Sequence, residues 1–85
     1  YIIYMPANKL QKIDNLEALV NLDELMIAEN KITYIENLDS LVNLNTLDIS
    51  YNKITKITNL EKLTNLENFW FNSNLIEYFD DLTIL

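Results

Sequence analysis

The apolar residues of this 85-residue chain recur in a pattern that repeats every 22 positions without a slip. Short stretches such as Leu25-Met26-Ile27 and Leu47-Asp48-Ile49 alternate with period two, which predicts strands whose first and third side chains point inward. From Ile32 onward the spacing becomes three, which favours 3₁₀ or irregular helical turns over an α-helix. Each unit is therefore predicted to run from a strand through a turn into a helical return.

The same register holds along the whole chain, so the units are predicted to stack. The apolar columns include Ile13, Ile35, Ile57 and Phe79, and also Leu16, Leu38, Leu60 and Leu82. Stacked units of this size form a solenoid, in which successive strands pair in parallel and the bulkier returns form the opposite, convex side. We therefore predict one domain over residues 1–85. Its predicted fold is a right-handed α/β solenoid of nearly four coils with a concave sheet.

Three columns of polar residues are predicted to have structural roles. They are Asn8, Asn30, Asn52 and Asn74; then Asn15, Asn37, Asn59 and Asp81; then Asn21, Asn43 and Asn65. The first column lies where each strand ends, and a carboxamide there can satisfy backbone groups of its own and neighbouring coils. The second begins each return, where helix N-caps prefer Asn or Asp. The third ends each return and is a candidate for the left-handed position that glycine usually takes, since the chain has no glycine.

The repeating unit L-x-x-L-x-L-x-x-N-x-I-x-x-I-x-x-L-x-x-L-x-x resembles the leucine-rich repeats of the 22-residue class over the whole chain. IENLDSLVNL at residues 35–44 is close to the consensus of one group, the regulatory subunits of type 1 protein phosphatase. LDIS at residues 47–50, FWFNSNLIE at 69–77 and DDL at 80–82 are similar to the C-terminal repeats of those subunits. The resemblance implies a protein-binding module of the nucleus and cytoplasm that docks on the phosphatase catalytic subunit.

Consensus positions alone fit spliceosomal, axonemal and bacterial adhesion relatives equally well. The alternatives are therefore a scaffold or adhesion module that binds a different protein, or a structural segment of a longer array.

The outward-pointing strand residues are the candidate protein-binding site. They are Tyr4, Glu24, Met26, Thr46, Asp48, Asn68, Trp70 and Asn72. Exposed aromatic side chains on a rigid sheet are typical of binding hot spots, although Trp70 could instead pack sideways on Met26 or Asn72. The resemblance implies that Asp48 and Trp70 match acidic and aromatic contacts to the phosphatase. It also shows a departure, because Asn68 stands where those subunits have Glu.

Composition excludes several other functions. The formal charge of −7 argues against nucleic acid, and no apolar run approaches the ~20 residues that a membrane span needs. The chain has neither His nor Cys, so we predict no enzyme, no cofactor and no disulfide, in agreement with an intracellular protein. Glu24, Glu29 and Asp48 lack the spacing of a calcium loop, so no metal is predicted. The column of Lys9, Lys31 and Lys53 is interpreted as a solvated edge.

The two ends of the array lack the polar caps that close natural solenoids. The sequence begins with Tyr and not Met, which suggests a fragment of a longer array. Ile3 and Met5 are predicted to be exposed at one end, and Phe79, Leu82 and Leu85 at the other. Because an open parallel edge invites pairing, we expect end-to-end self-association.

Overall fold

Each 22-residue unit contributes one short strand to a parallel sheet. The computed structural model describes residues 1–79 of the chain. The strands are β1 (Ile2–Tyr4), β2 (Glu24–Met26), β3 (Thr46–Asp48), β4 (Lys56–Ile57), β5 (Asn68–Trp70) and β6 (Tyr78–Phe79). Four of them form one sheet in the order β1-β2-β3-β5, and β4 pairs with β6 in a second sheet. All the pairings are parallel, as the stacked units require.

The register of the main sheet confirms the predicted columns. Tyr4 pairs with Met26, Met26 with Asp48, and Asp48 with Trp70. The ladder continues past the strands, since the Ile27 N–H donates to the Asp48 carbonyl oxygen at 2.9 Å. Each strand residue of the main sheet therefore lies beside the residue 22 positions away, so its repeat position becomes a column on the surface or in the core.

The core is a stack of apolar layers, one from each coil. Its buried members in the two central coils include Leu25, Ile27, Ile32, Ile35, Leu38, Leu41, Leu44, Leu47, Ile49, Ile54, Ile57, Leu60 and Leu63. Equivalent residues near the ends, such as Ile3 and Phe69, are only half-buried against this cluster. Burial in this molecule thus depends on having a coil on each side, as expected when each repeat contacts only its neighbours.

The returns are formed by consecutive β-turns. The Leu19 N–H donates to the Leu16 carbonyl oxygen and the Leu22 N–H to that of Leu19, both at 3.0 Å. A 3₁₀ helix would form such a bond at every residue, whereas here it forms at every third. The helical part of the predicted α/β class is therefore not confirmed, because residues 1–79 contain no helix. The leucine spacing of three instead places one leucine at the junction between successive β-turns.

The sheet of β4 and β6 was not predicted. It pairs Lys56 with Tyr78 and Ile57 with Phe79, on the segment between a strand and its return. Two-residue strands are too short to give an alternating pattern, so the sequence contained no signal for them. This second sheet holds adjacent coils together on a side of the solenoid that the main sheet does not reach.

The first asparagine column joins the coils as predicted. Asn52 is buried, and its Oδ1 accepts a hydrogen bond from the Ile32 N–H at 3.0 Å. Its Nδ2 donates to the carbonyl oxygens of Ile27, Ile49 and Ser50 at 2.9–3.1 Å. One side chain therefore satisfies backbone groups on two coils. Within residues 1–79 no buried side-chain nitrogen or oxygen lacks a partner.

The roles predicted for the other two asparagine columns are wrong. Positive φ angles of 61–64° occur at Asn15, Asn37 and Asn59, and not at Asn21, Asn43 or Asn65. The second column therefore provides the left-handed turn at the start of each return rather than a helix N-cap, since the described residues contain no helix to cap. Asn37 also donates from Nδ2 to the Ile13 carbonyl oxygen of the previous coil at 2.8 Å. The remaining member, Asp81, lies outside the described residues.

A further column of left-handed residues precedes the asparagine ladder. Ala7, Glu29, Tyr51 and Ser73 have φ angles of 55–59°. For residues with a Cβ this conformation costs roughly 1–2 kcal/mol each. The sequence pattern did not predict it, because these four side chains have no chemistry in common. The bonds that each following asparagine makes to neighbouring carbonyl oxygens offset this cost.

The first coil leaves apolar side chains exposed, although one of the two predicted residues is not among them. Met5 is exposed as predicted, whereas Ile3 is half-buried against the core, because the middle residue of β1 points inward. Ile2 and Tyr4 are also exposed, on a strand whose outer edge has no neighbouring strand among the described residues. Phe79 is also exposed, whereas Leu82 and Leu85 lie outside the described residues. End-to-end association stays a prediction.

The asparagine ladder predicts unequal effects of one substitution at two positions. Asn52→Ala removes the hydrogen bonds of a fully enclosed amide and is expected to cost on the order of 1–3 kcal/mol of unfolding free energy. Asn74→Ala removes similar bonds from a half-buried amide, so water can replace them and the loss should be smaller. Urea denaturation of both variants measures the difference. Equal losses would contradict this account of the ladder.

The left-handed turn predicts that two small residues at position 37 behave differently. Asn37→Ala loses the bond to Ile13 and keeps a Cβ in the left-handed conformation, which Ala tolerates less well than Asn, whereas Asn37→Gly loses the bond but removes the Cβ. We expect Asn37→Ala to be the less stable by about 1 kcal/mol in thermal unfolding. The same pair at Asn43, which has no positive φ, is the control and should show the opposite order.

Candidate binding surface

The predicted site residues lie together on the outer side of the main sheet. We call this surface the strand face, and define it by Tyr4, Glu24, Met26, Thr46, Asp48, Asn68, Trp70 and Asn72. The middle residue of each strand points into the core, so its two neighbours point outward. Since the strands are in register, neighbouring columns on this face are parallel, with adjacent members about 4.8 Å apart.

The central column combines aromatic, apolar and acidic side chains. Tyr4 is 71% exposed and Trp70 is 46% exposed, at opposite ends of the column. Met26 and Asp48 lie between them and are half-buried. The face therefore presents two large rings that flank a lower, partly acidic centre.

The carboxylate of Asp48 is held by a neighbour that sequence reasoning did not identify. Asp48 Oδ1 accepts hydrogen bonds from the Ser50 N–H at 3.0 Å and from Ser50 Oγ at 2.6 Å. The signal was available, because an Asp two residues before a Ser is a common local side-chain-to-backbone motif. The two bonds fix the orientation of the carboxylate before any partner arrives.

Thr46 differs from the other predicted site residues, because it is only 6% exposed. Its hydroxyl donates to Asn45 Oδ1 at 2.8 Å and accepts from Asn68 Nδ2 at 3.2 Å. A short side chain between longer neighbours is covered by them, so Thr46 offers little surface to a partner. Its contribution is to position Asn68.

The aromatic residues of β5 and the following segment separate into two groups. The rings of Phe69 and Phe71 lie 5.1 Å apart, and Phe71 meets Phe79 edge-on at 5.7 Å. Phe69 and Phe71 pack against the core, whereas Trp70 forms no ring contact with the described residues. Trp70 is thus placed on the strand face by strand alternation, and its ring is free to contact another molecule.

The charge on the strand face is negative. Glu24 and Asp48 contribute carboxylates, and none of the eight residues is basic. Within residues 1–79 no three potential metal ligands come together, so Glu24, Glu29 and Asp48 do not form a cation site there. The described part of the chain also contains no helix able to cross a membrane. The face suits a partner surface that carries positive charge beside an apolar residue.

Comparison with known families agrees with the geometry. The family model described as "Leucine Rich repeats (2 copies)" matches residues 42–84, which is just over half of the chain. This segment includes β3, β5 and the Asp48–Trp70 pair. The curated proteins contain no match to this chain.

The separation of the aromatic residues predicts how two substitutions affect folding. Trp70→Ala should change the unfolding free energy by less than about 1 kcal/mol, because the ring is half-exposed and lies outside the core. Phe71→Ala should cost about 2 kcal/mol or more, because its ring contacts both Phe69 and Phe79. Chemical denaturation monitored by circular dichroism gives both values. If Trp70→Ala destabilises the chain as much as Phe71→Ala, Trp70 is a core residue.

Proposed function

Because the chain belongs to the leucine-rich repeat family, whose arrays are protein-binding modules, we propose that its strand face binds the catalytic subunit of type 1 protein phosphatase. The chain would act in the nucleus and cytoplasm as part of a regulatory subunit of that enzyme. The observation that carries the proposal is the direct pairing of Asp48 with Trp70 on adjacent strands. An oriented carboxylate beside an exposed indole is a compact anchor for a protein partner.

The spacing of this pair indicates what it would contact. Adjacent strands stand 4.7–4.9 Å apart, and side chains four residues apart on a helix are about 5–6 Å apart. A partner helix with a Lys or Arg one turn from a leucine or methionine therefore matches Asp48 and Trp70 together. Binding in this way needs no chemistry from the chain, whose role is to position and cover the enzyme surface.

The surface is already ordered in the free chain, which favours binding. β3 is hydrogen-bonded on both sides, to β2 and to β5, so the backbone around Asp48 is fixed. Ser50 fixes the carboxylate, and Thr46 fixes the Asn68 amide beside Trp70. Little side-chain freedom is then lost at the centre of the face when a partner binds.

A second candidate uses the same face for a different partner. Asn68 stands in place of the expected glutamate, which removes one negative charge from the phosphatase contact. A scaffold or adhesion module would retain the Asp48–Trp70 anchor but bind another basic and apolar surface. The identity of the bound protein, and not the location of the site, distinguishes the two functions.

Titration calorimetry with the purified catalytic subunit tests the anchor. Trp70→Ala is expected to lose roughly 2 kcal/mol or more of binding free energy, as truncated hot-spot aromatics do. Val42→Ala is the control, because Val42 is exposed to a similar degree (45%) but lies on a return. An equal loss for the two variants would place the contact elsewhere. No binding by the unsubstituted chain would exclude the phosphatase and leave the second candidate.

The charge of Asp48 can be tested without disturbing its geometry. Asp48→Asn retains the Oδ1 acceptor for Ser50 but removes the negative charge. We expect modestly weaker binding to the catalytic subunit, with a larger effect at low salt, where screening is weaker. Asp39→Asn, an exposed position on a return, is the matched control. A loss that does not vary with salt would contradict an electrostatic role.

A further inference from the structure

Five of the six lysines lie on one side of the solenoid. Lys9, Lys12, Lys31, Lys53 and Lys56 all follow a ladder position and precede a return, and we call this surface the lysine rim. Lys62 is the exception and lies on a return. The chain carries 13 acidic residues and a formal charge of −7, so such clustering of its few positive charges sets this side apart.

Stacking of the coils aligns these lysines. The Lys31 N–H donates to the Leu10 carbonyl oxygen at 2.7 Å, and the Lys53 N–H to that of Ile32 at 2.8 Å. Lys9, Lys31 and Lys53 therefore form a column with a spacing of about 4.8 Å. Three like charges at this spacing repel one another.

A depression of about 400 Å³ lies among these side chains. Its lining consists of Gln11, Lys12, Lys31, Thr33, Glu36 and Lys53, that is, three ammonium groups and one carboxylate among neutral polar groups. Lys12, Lys31 and Lys53 form no ion pair with residues 1–79. Their positive charge is therefore available to an external anion.

Exposed tyrosines stand at the edge of the same rim. Tyr34 is 50% exposed and Tyr78 is 61% exposed, in the column that also contains Lys12 and Lys56. Aromatic side chains beside charged ones suit a peptide, which can offer apolar as well as acidic residues.

We propose that the lysine rim binds a short, extended acidic segment of a partner protein. In an extended peptide, side chains on the same face are about 6.6–6.8 Å apart. The lysine backbones on adjacent coils are about 4.8 Å apart, and the flexible lysine side chains can spread to reach acidic groups at the wider spacing. Because the lysine rim extends over only a few coils, it is long enough to contact a few acidic residues of such a segment. Nucleic acid is disfavoured, because the rim lacks arginine and a longer polyanion would meet the acidic remainder of the surface.

This site is separate from the strand face and does not depend on the proposed phosphatase contact. The two surfaces are formed by different segments of each coil, so one partner could occupy both. A peptide-binding test without the phosphatase therefore examines the lysine rim alone, and its failure would leave the strand-face proposal unchanged.

Fluorescence anisotropy with a labelled oligoglutamate peptide tests the rim on the full 85-residue chain. Binding is expected at low salt and should weaken as the Debye length falls from ~30 Å at 0.01 M to ~8 Å at 0.15 M. Charge reversal by Lys31→Glu with Lys53→Glu should weaken binding by about tenfold or more. The double variant Lys31→Gln with Lys53→Gln, which removes the charges without reversing them, should also weaken binding, but by less. Circular dichroism verifies that both double variants fold.

Lys62→Glu is the matched control, because it changes charge on a return and should alter affinity by less than about twofold. Amide chemical-shift changes caused by the peptide should map to Thr33 and Thr55, between the two lysine columns.

An equal effect of Lys62→Glu, or shifts confined to the strand face, would overturn the proposal. Tighter binding of a labelled oligothymidine through the same lysines would also overturn it, in favour of nucleic acid. Peptide-independent self-association that is lost in the Lys31→Glu, Lys53→Glu variant would assign the rim to a second copy of the chain.

Discussion

The structure depends on one requirement, namely that backbone groups between stacked coils find hydrogen-bond partners where the sheet ends. A short strand satisfies its own N–H and C=O groups, but the chain then turns and its carbonyl oxygens lose their ladder partners. The buried carboxamides of Asn30 and Asn52 replace those partners, since one amide can both donate and accept. Each asparagine bonds to its own coil and to the coil before it. The same side chain therefore shapes the turn and joins the repeats.

The other two asparagine columns extend this principle around the coil. Asn59 donates to the Ile35 carbonyl oxygen at 2.8 Å, and Asn65 donates to that of Val42 at 2.9 Å. Adjacent coils are thus linked at the strand, at the left-handed turn and at the end of the return. Both proposed binding surfaces lie between these asparagine columns.

Much of this architecture could be predicted because it follows from the regular spacing of apolar and asparagine residues along the sequence. The strand columns, the core layers and the first asparagine ladder follow from positions that repeat every 22 residues, and the structure confirms them. The conformation of the returns could not be predicted, because 3₁₀ helix and consecutive β-turns place the same leucines inward and differ only in backbone hydrogen bonds. The left-handed residues Glu29 and Tyr51 were missed for a related reason. Their conformation is imposed by the ladder asparagine that follows, and not by their own side chains. At the strand face, the exposure of Trp70 was predicted by alternation, whereas the burial of Thr46 depends on the lengths of its neighbours.

The turns that form the returns also affect how a long array would bend. Packed helices stand 8–10 Å apart, whereas paired strands stand 4.7–4.9 Å apart, so an array with helical returns must splay on its outer side. Here the returns of neighbouring coils are close enough for direct bonds, such as that from Ser40 Oγ to the Glu17 carbonyl oxygen at 2.7 Å. The distance between neighbouring coils is therefore similar on the strand side and on the return side. A longer array of such coils would be a gently bent ribbon rather than a tight horseshoe, so it would contact its partner along a length that grows with every coil and would not enclose it.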